Sequence, residues 1–171
     1  PPAAGATADA GESAHLHALF DAEWEWAMRS FREWATSIGD HRYDDRLDDA
    51  SRAAEDAIEA HQRELLSQLE RIDRGRLGQT DRASYDLMLA KTRERIEGQP
   101  FRGMKTLVVT TRDGPHLDFA NLLRSSPAAT EADVRNILAR MARFPHQVDQ
   151  TIERLREGIA LGWVTFAPAL E

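Results

Sequence analysis

Ser13-Ala14-His15-Leu16-His17-Ala18-Leu19-Phe20-Asp21-Ala22-Glu23-Trp24-Glu25-Trp26-Ala27-Met28 opens a run in which Leu16, Leu19, Phe20, Trp24, Met28, Phe31 and Ala35 recur at three- and four-residue steps. That period is one face of an α-helix, and it predicts an all-α chain. Ser13 suits the N-cap and Gly39 the stop. Trp26 and Trp34 lie off the centre of the stripe, so this helix is expected to be covered on more than one side.

The same period recurs downstream. A second helix is expected over about Asp49 to Asp73, with Ala54, Ile58, His61, Leu65, Leu69 and Ile72 on its inner face. The two glycines of Arg74-Gly75-Arg76-Leu77-Gly78-Gln79 mark a turn. Thr80 then caps a third helix, Asp81 to Glu97, whose inner face is Tyr85, Met88, Leu89, Thr92 and Ile96, and Gly98 and Pro100 end it. Short links favour antiparallel packing of these three. From Phe101 to Pro127 the period lapses. Thr106 to Thr111 reads as a strand or an extended segment, and Asp113-Gly114-Pro115 as a turn. A structureless stretch of that length inside a domain is commonly functional. Thr130, with Asp133 three residues on, caps a fourth helix to Phe144, with Val134, Ile137, Leu138 and Met141 inward. Pro145 is placed to begin a fifth, with Val148, Ile152, Leu155 and Ile159 inward and Gly162 as its stop. Trp163, Val164 and Phe166 then call for a cover. The expectation is about five amphipathic helices with an irregular excursion near residues 101–127, and no internal repeat.

Composition narrows the function. The 171 residues fit one domain, expected over residues 14–171, and carry a net charge of −7. That balance argues against a nucleic-acid binder, which needs a basic face. With no cysteine, disulfides, thiolate zinc sites and cysteine nucleophiles are excluded. No apolar run approaches a membrane span. Residues 1–13, rich in Ala, Gly and Pro, read as a disordered leader or linker. The first residue is Pro1, which suits a chain cleaved on export to the periplasm or outside the cell, although a cytoplasmic protein with a trimmed start would look the same.

Complete catalytic motifs are missing. No two of the six histidines have the i, i+4 spacing of a helical zinc site, and His61 on its apolar stripe reads as a core or boundary residue. The acidic run Asp44, Asp45, Asp48 and Asp49 does not follow an EF-hand order. It reads as an ion-pair mesh with Arg42, Arg46 and Arg52, with calcium binding as the sharper alternative. No G-x-S-x-G or phosphate-binding glycine loop occurs. The segment Asp113 to Ala120, with His116 and Asp118 two apart, is the best local candidate for ligand contact. The plainer reading is a turn whose side chains satisfy backbone groups.

Several stretches, taken in order, resemble the N-terminal region of the bacterial "domain of unknown function 885" proteins. They are Glu33-Trp34-Ala35-Thr36 with Gly39 to Leu47, Ile72-Asp73-Arg74 with Asp81 to Leu87, Gly114-Pro115-His116 with Asp118-Phe119-Ala120, and Phe144-Pro145 with Val148 to Ile152 and Arg156 to Val164. The resemblance spans Leu16 to Glu171. It implies a mostly helical zinc hydrolase, similar to metallopeptidases, often exported or lipid-anchored. The H-E-x-x-P-G-H-H zinc element of that family lies in a later part, and this chain has no His-Glu pair. No zinc ligand or catalytic base is carried over. The expectation is therefore the N-terminal helical portion of a peptidase-like hydrolase, incomplete without a C-terminal catalytic portion on the same gene product or a separate chain. It would form one wall of the substrate cleft through Asp40, His41, Tyr43, His116 and Asp118. The alternative is a non-catalytic helical interaction module.

Overall fold

A computed structural model of the chain describes residues 9–110 and 113–164. It contains six α-helices, with no strand among the described residues: α1 (Ala10–Ser30), α2 (Arg32–Ser37), α3 (Arg52–Leu69), α4 (Gln79–Gly98), α5 (Pro115–Ser125) and α6 (Glu131–Ala160). Short 3-10 turns sit at His41–Tyr43, Arg74–Arg76 and Gln99–Thr106. The all-α reading holds.

The elements divide into two compact units. One takes the chain up to Glu25 together with Asp56–Pro100, and the other takes Trp26–Glu55 and the chain from Phe101 onward. The first unit has an ordinary apolar core of Leu16, Leu19, Leu65, Leu69, Ile72, Leu77 and Tyr85, with Phe20, Met88 and Leu89 packed against it. Apart from Leu77 of the turn, these lie on the inner faces that the helical period assigns to the first three helices, but Trp24, read as inward, is 49% exposed. His61, half-buried, pairs with Glu23 at 2.5 Å, as a boundary histidine should. The first unit also buries Glu59, Thr92 and Gln99, and the second unit buries more polar and charged groups. Its buried set mixes Met28, Ala35, Leu47 and Leu122 with Thr36, Asp44, Thr106, Arg140, Thr151 and Arg154.

Four local features depart from the helical period, each for a stated reason. The first helix is two, broken at Phe31 (φ −115°, ψ 69°), because the Asp48 carboxylate takes the Arg32 and Glu33 N–H groups at 2.6 and 3.2 Å. Asp48 thus acts as an N-cap from sixteen residues away. The helix also starts earlier than Ser13: Asp9 accepts from Gly11 N at 2.8 Å, so residues 10–13 are already helical. The rest of the expected leader, residues 1–8, lies outside the described residues. In the 101–127 excursion, Leu107 to Thr110 run without strand pairing, and Thr111 lies outside the described residues. Pro115 to Ser125 coil into α5, whose own Asp118 accepts from Gly114 N at 3.0 Å. The eleven residues are too few for the period to show against their Asp-Gly-Pro start. Finally, the fourth and fifth helices are one, with Pro145 inside it. Met141 and Pro145 are both exposed, so the Met141 carbonyl that Pro145 cannot bond is free to take water.

The largest departure is the direction in which α6 faces. Val134, Leu138, Met141, Ile152 and Ile159, read as inward, are exposed, while Arg140, Thr151, Arg154 and Gly158 are buried. Phe119 of α5 stacks on Phe144 at 3.9 Å between ring centres, so aromatic contact fixes α5 on α6. Trp163 lies against the backbone of Gly103, where a β-carbon would collide with its indole, yet remains 43% exposed. Val164 is exposed, and Phe166 lies outside the described residues.

Both glycine stops are Schellman motifs. Gly39 has φ +91°, its N–H bonds Thr36 O at 3.1 Å, and Asp40 N bonds Ala35 O at 2.9 Å. Gly162 repeats the pattern at φ +77°, with Trp163 N bonding Gly158 O at 2.8 Å. A β-carbon at Gly39 would meet open space, so only the left-handed backbone opposes a side chain there. Gly39→Ala should therefore cost about 1 kcal/mol in urea unfolding, and Gly39→Asn clearly less. Equal losses for the two would show that φ is not what selects glycine at 39.

Candidate functional site

The second unit is organised around one buried cation. Arg140, on α6, has no exposed surface. Its Nε donates to Arg46 O at 2.9 Å, Nη1 to Ser126 Oγ at 3.0 Å, and Nη2 to Thr36 Oγ1 at 2.5 Å and more weakly to Tyr43 O at 3.4 Å. Asp44 Oδ1 stands 3.7 Å away and accepts the Thr36 hydroxyl at 2.6 Å. Burial pulls the Arg140 pKa below its ordinary value, and the Asp44, Glu33, Asp48 and Asp45 charges oppose that. This one side chain ties α2, the 43–46 segment, the end of α5 and the middle of α6.

A second ionic group lies fourteen residues on. Arg154 pairs with Glu55 and, at 2.9 Å, with Glu157, which also receives Arg52 at 2.8 Å. Lys105 approaches Glu55 at 3.2 Å. Both Glu55 oxygens are buried and are held by these charges without an aligned hydrogen bond.

The residues singled out from sequence fall into two groups. Asp40 is clamped by Arg42 through two oxygens, which holds its carboxyl below the usual range. His41 Nδ1 lies 3.0 Å from Asp44 Oδ2, so His41 joins the rim of the Arg140 network while keeping half its side chain exposed. His41 also lies near the start of α6. There Asp133, held low mainly by the Thr130 backbone and hydroxyl, receives a smaller contribution from the His41 charge. Tyr43 is half-buried with the Arg42 guanidinium 5.5 Å above its ring. His116 and Asp118 sit in the first turn of α5, both exposed, with Asp118 engaged by Gly114 N. Among the described residues no hydrogen bond or ion pair joins this pair to Asp40, His41 or Tyr43. The acidic run is the predicted mesh: Asp44 serves Thr36 and His41, Asp48 caps α2, and Asp49 accepts from Ser51 N and Gln150 Nε2.

Arg32, Arg143, His146 and Gln147, which the sequence reading passed over, join Arg46, Asp48 and Asp49 of the acidic run around a hollow in this unit. An open recess of about 300 Å³ lies between Arg32 of α2, the 46–49 segment, and Arg143 and His146 of α6. Glu33 and Asp48 close one side reciprocally. Asp48 caps α2, Glu33 Oε1 accepts Asp48 N at 3.1 Å, and Gln147 Nε2 donates to both Glu33 Oε1 (2.7 Å) and Asp48 O (3.2 Å). Burial first, then the neighbouring Glu33 charge, push Asp48 up to about 6. The polar series Arg140, Gln147, Thr151, Arg154 at helical spacing is the signal that would have shown the buried side of α6, which Gln147 joins to the recess.

The chemistry of a zinc site does not fit these residues. Among the described residues no three His, Asp or Glu side chains converge as metal ligands.

A sequence profile described as "Bacterial protein of unknown function (DUF885)" matches residues 33–171, which include every residue of the hub and all of the recess but Arg32. No curated protein and no solved structure matches the chain.

Two tests follow from the hub and its neighbour. Arg140→Ala would leave Thr36, Ser126 and two carbonyls without their donor and Asp44 without its counter-charge, and should cost about 3–5 kcal/mol in chemical unfolding. A loss below about 1 kcal/mol would mean that water replaces the guanidinium. Asp48 titrates above its unfolded value of 3.8. The stability it contributes is therefore complete below about pH 4 and is lost as pH rises through about 6. Asp48→Asn keeps the capping oxygen and removes the charge. Its melting temperature should match wild type near pH 4 and exceed it at pH 7, whereas a difference that does not change between those pH values would contradict a raised pKa.

Proposed function

We propose, from the premise that this chain belongs to the DUF885 family of bacterial proteins, that it is the helical portion of a zinc-dependent, peptidase-like hydrolase. In this reading it forms one wall of the substrate cleft and leaves the metal to another part of the assembly. The observation that carries the reading is the outward stripe of α6. Val134, Leu138, Met141, Pro145, Val148, Ile152, Leu155 and Ile159 follow one another at alternating four- and three-residue steps. Five of them, Val134, Leu138, Met141, Ile152 and Ile159, are at least 38% exposed. Regular apolar spacing at that exposure is what a helix presents to a covering helix, not to water.

The hydrolase assignment and the zinc come from the resemblance. The metal would polarise a scissile carbonyl and activate water on the covering portion. The residues of this chain would supply shape and polar contacts to substrate. The exposed imidazoles of His41 and His116 stand as the cleft-facing groups, with Asp40, Tyr43 and Asp118 beside them. Export to the periplasm or beyond belongs to the same proposal. No helix among the described residues is long and apolar enough to cross a membrane. The stripe equally supports a second reading, a helical interaction module without catalysis. Metal content separates the two.

The test is native purification of the complete gene product, with intact mass, zinc analysis and a peptide-library cleavage assay. The reading expects an H-E-x-x-H-bearing portion, about one zinc per assembly and chelator-sensitive cleavage. A folded, monomeric, metal-free species of 19.2 kDa would overturn it and leave the interaction module.

A further inference from the structure

We propose that the recess beside α2 and α6 binds a small molecule carrying a carboxylate or phosphate group, gripped by the guanidinium groups of Arg46 and Arg143. The inference does not depend on the hydrolase reading.

Three arginines face or back this hollow, and their charges are incompletely answered. Arg143 spends one of its five N–H donors on Ala139 O at 3.2 Å, and among the described residues no carboxylate lies within 4 Å of it. Arg46 is 56% exposed, and its nearest carboxylate, Asp45, stands at 3.5 Å. The Arg46 main chain is held by Arg140 Nε at 2.9 Å, so its side chain projects from a fixed base. Arg32 donates Nη1 to Leu47 O at 2.8 Å, while its Nε is buried with no acceptor and adds positive potential behind the wall.

The two carboxylates of the recess are committed to neutral donors. Asp48 takes Arg32 N and Glu33 N, and Asp49 takes Ser51 N and the Gln150 amide. Arg143 meets no carboxylate among the described residues and Arg46 only Asp45, at 3.5 Å, so guanidinium donors stay open at the recess in a chain whose net charge is −7. A planar guanidinium fork matches a two-oxygen anion better than it matches chloride. Two arginines lining one hollow suit an oxyanion on a compact molecule. At about 300 Å³ the recess stands at the small end of ligand sites, the size of a dicarboxylate or a phosphorylated metabolite rather than a polymer.

The test is isothermal titration calorimetry of the chain with succinate and, separately, inorganic phosphate, at ionic strength held constant with sodium chloride. Saturable binding of one anion or both is expected, and the stronger binder tells carboxylate from phosphate. Arg143→Gln should weaken binding roughly tenfold or more, and Arg46→Gln should weaken it too. Arg143 holds only one carbonyl, and the Arg46 carbonyl that Arg140 needs survives substitution, so both variants should fold with near-native melting temperatures. Arg124→Gln, on the exposed end of α5, is the control and should bind as wild type. Absence of saturable binding for both anions would overturn the proposal. So would binding that both Arg143→Gln and Arg46→Gln leave unchanged.

Discussion

A guanidinium with no exposed surface must find acceptors within the protein, and those acceptors then cannot move independently. Arg140 draws its acceptors from Thr36, Tyr43, Arg46 and Ser126, with Asp44 supplying counter-charge. These groups belong to α2, the loop after it, and the end of α5. Once Arg140 is placed, α6 has its rotation fixed, because the residues one helical face away from Arg140 must point outward. Arg154, fourteen residues later on the same side, enforces that rotation with Glu55 and Glu157. A buried ion pair gives little net stability compared with an apolar core of equal volume, but it is intolerant of misplacement. That intolerance accounts for a unit whose interior is half polar.

The rotation has a functional cost and a functional use. It turns the apolar stripe from Val134 to Ile159 outward, where it stands without a cover among the described residues. The first unit shows no such inversion: Leu16, Leu19, Leu65, Leu69 and Tyr85 meet in one cluster. The first unit gathers its apolar residues into one cluster, whereas the second turns a regular apolar stripe outward. The same rotation places the exposed Arg143 and His146, at the edge of the polar face, beside Arg32 and the 46–49 segment.

Much of the fold was legible in the chain. The three-four period located α1, α3 and α4 and most of their buried faces, though Trp24 of the α1 stripe is exposed, Gly39 and Gly162 marked both Schellman ends, and the Thr130–Asp133 capping box opened α6 as read. What was not legible turned on long-range polar contacts. The break at Phe31 depends on Asp48, and no local signal at Phe31 announces it. Pro145 reads as a helix start because proline suits the first helical position, whereas here it lies inside one continuous helix at an exposed position. The stripe of α6 was read inward because apolar period gives a face but not the side on which the core lies. Of the candidate site, Asp40, His41 and Tyr43 proved to border the Arg140 network, and His116 and Asp118 to open α5. The recess escaped notice because its arginines are scattered over more than a hundred positions of sequence.

The account's central claim is that α6 turns its polar face in and its apolar face out. The chain has no native cysteine, so single cysteines report on this directly. Maleimide labelling of Leu138→Cys and Thr151→Cys, in the folded chain and in denaturant, gives the protection of each position. The account predicts that the thiol at 138 reacts nearly as fast folded as unfolded, and that the thiol at 151 is slowed roughly a hundredfold or more by folding. A protected 138 with a freely reactive 151 would contradict it, and would return α6 to the orientation that its apolar period alone suggests.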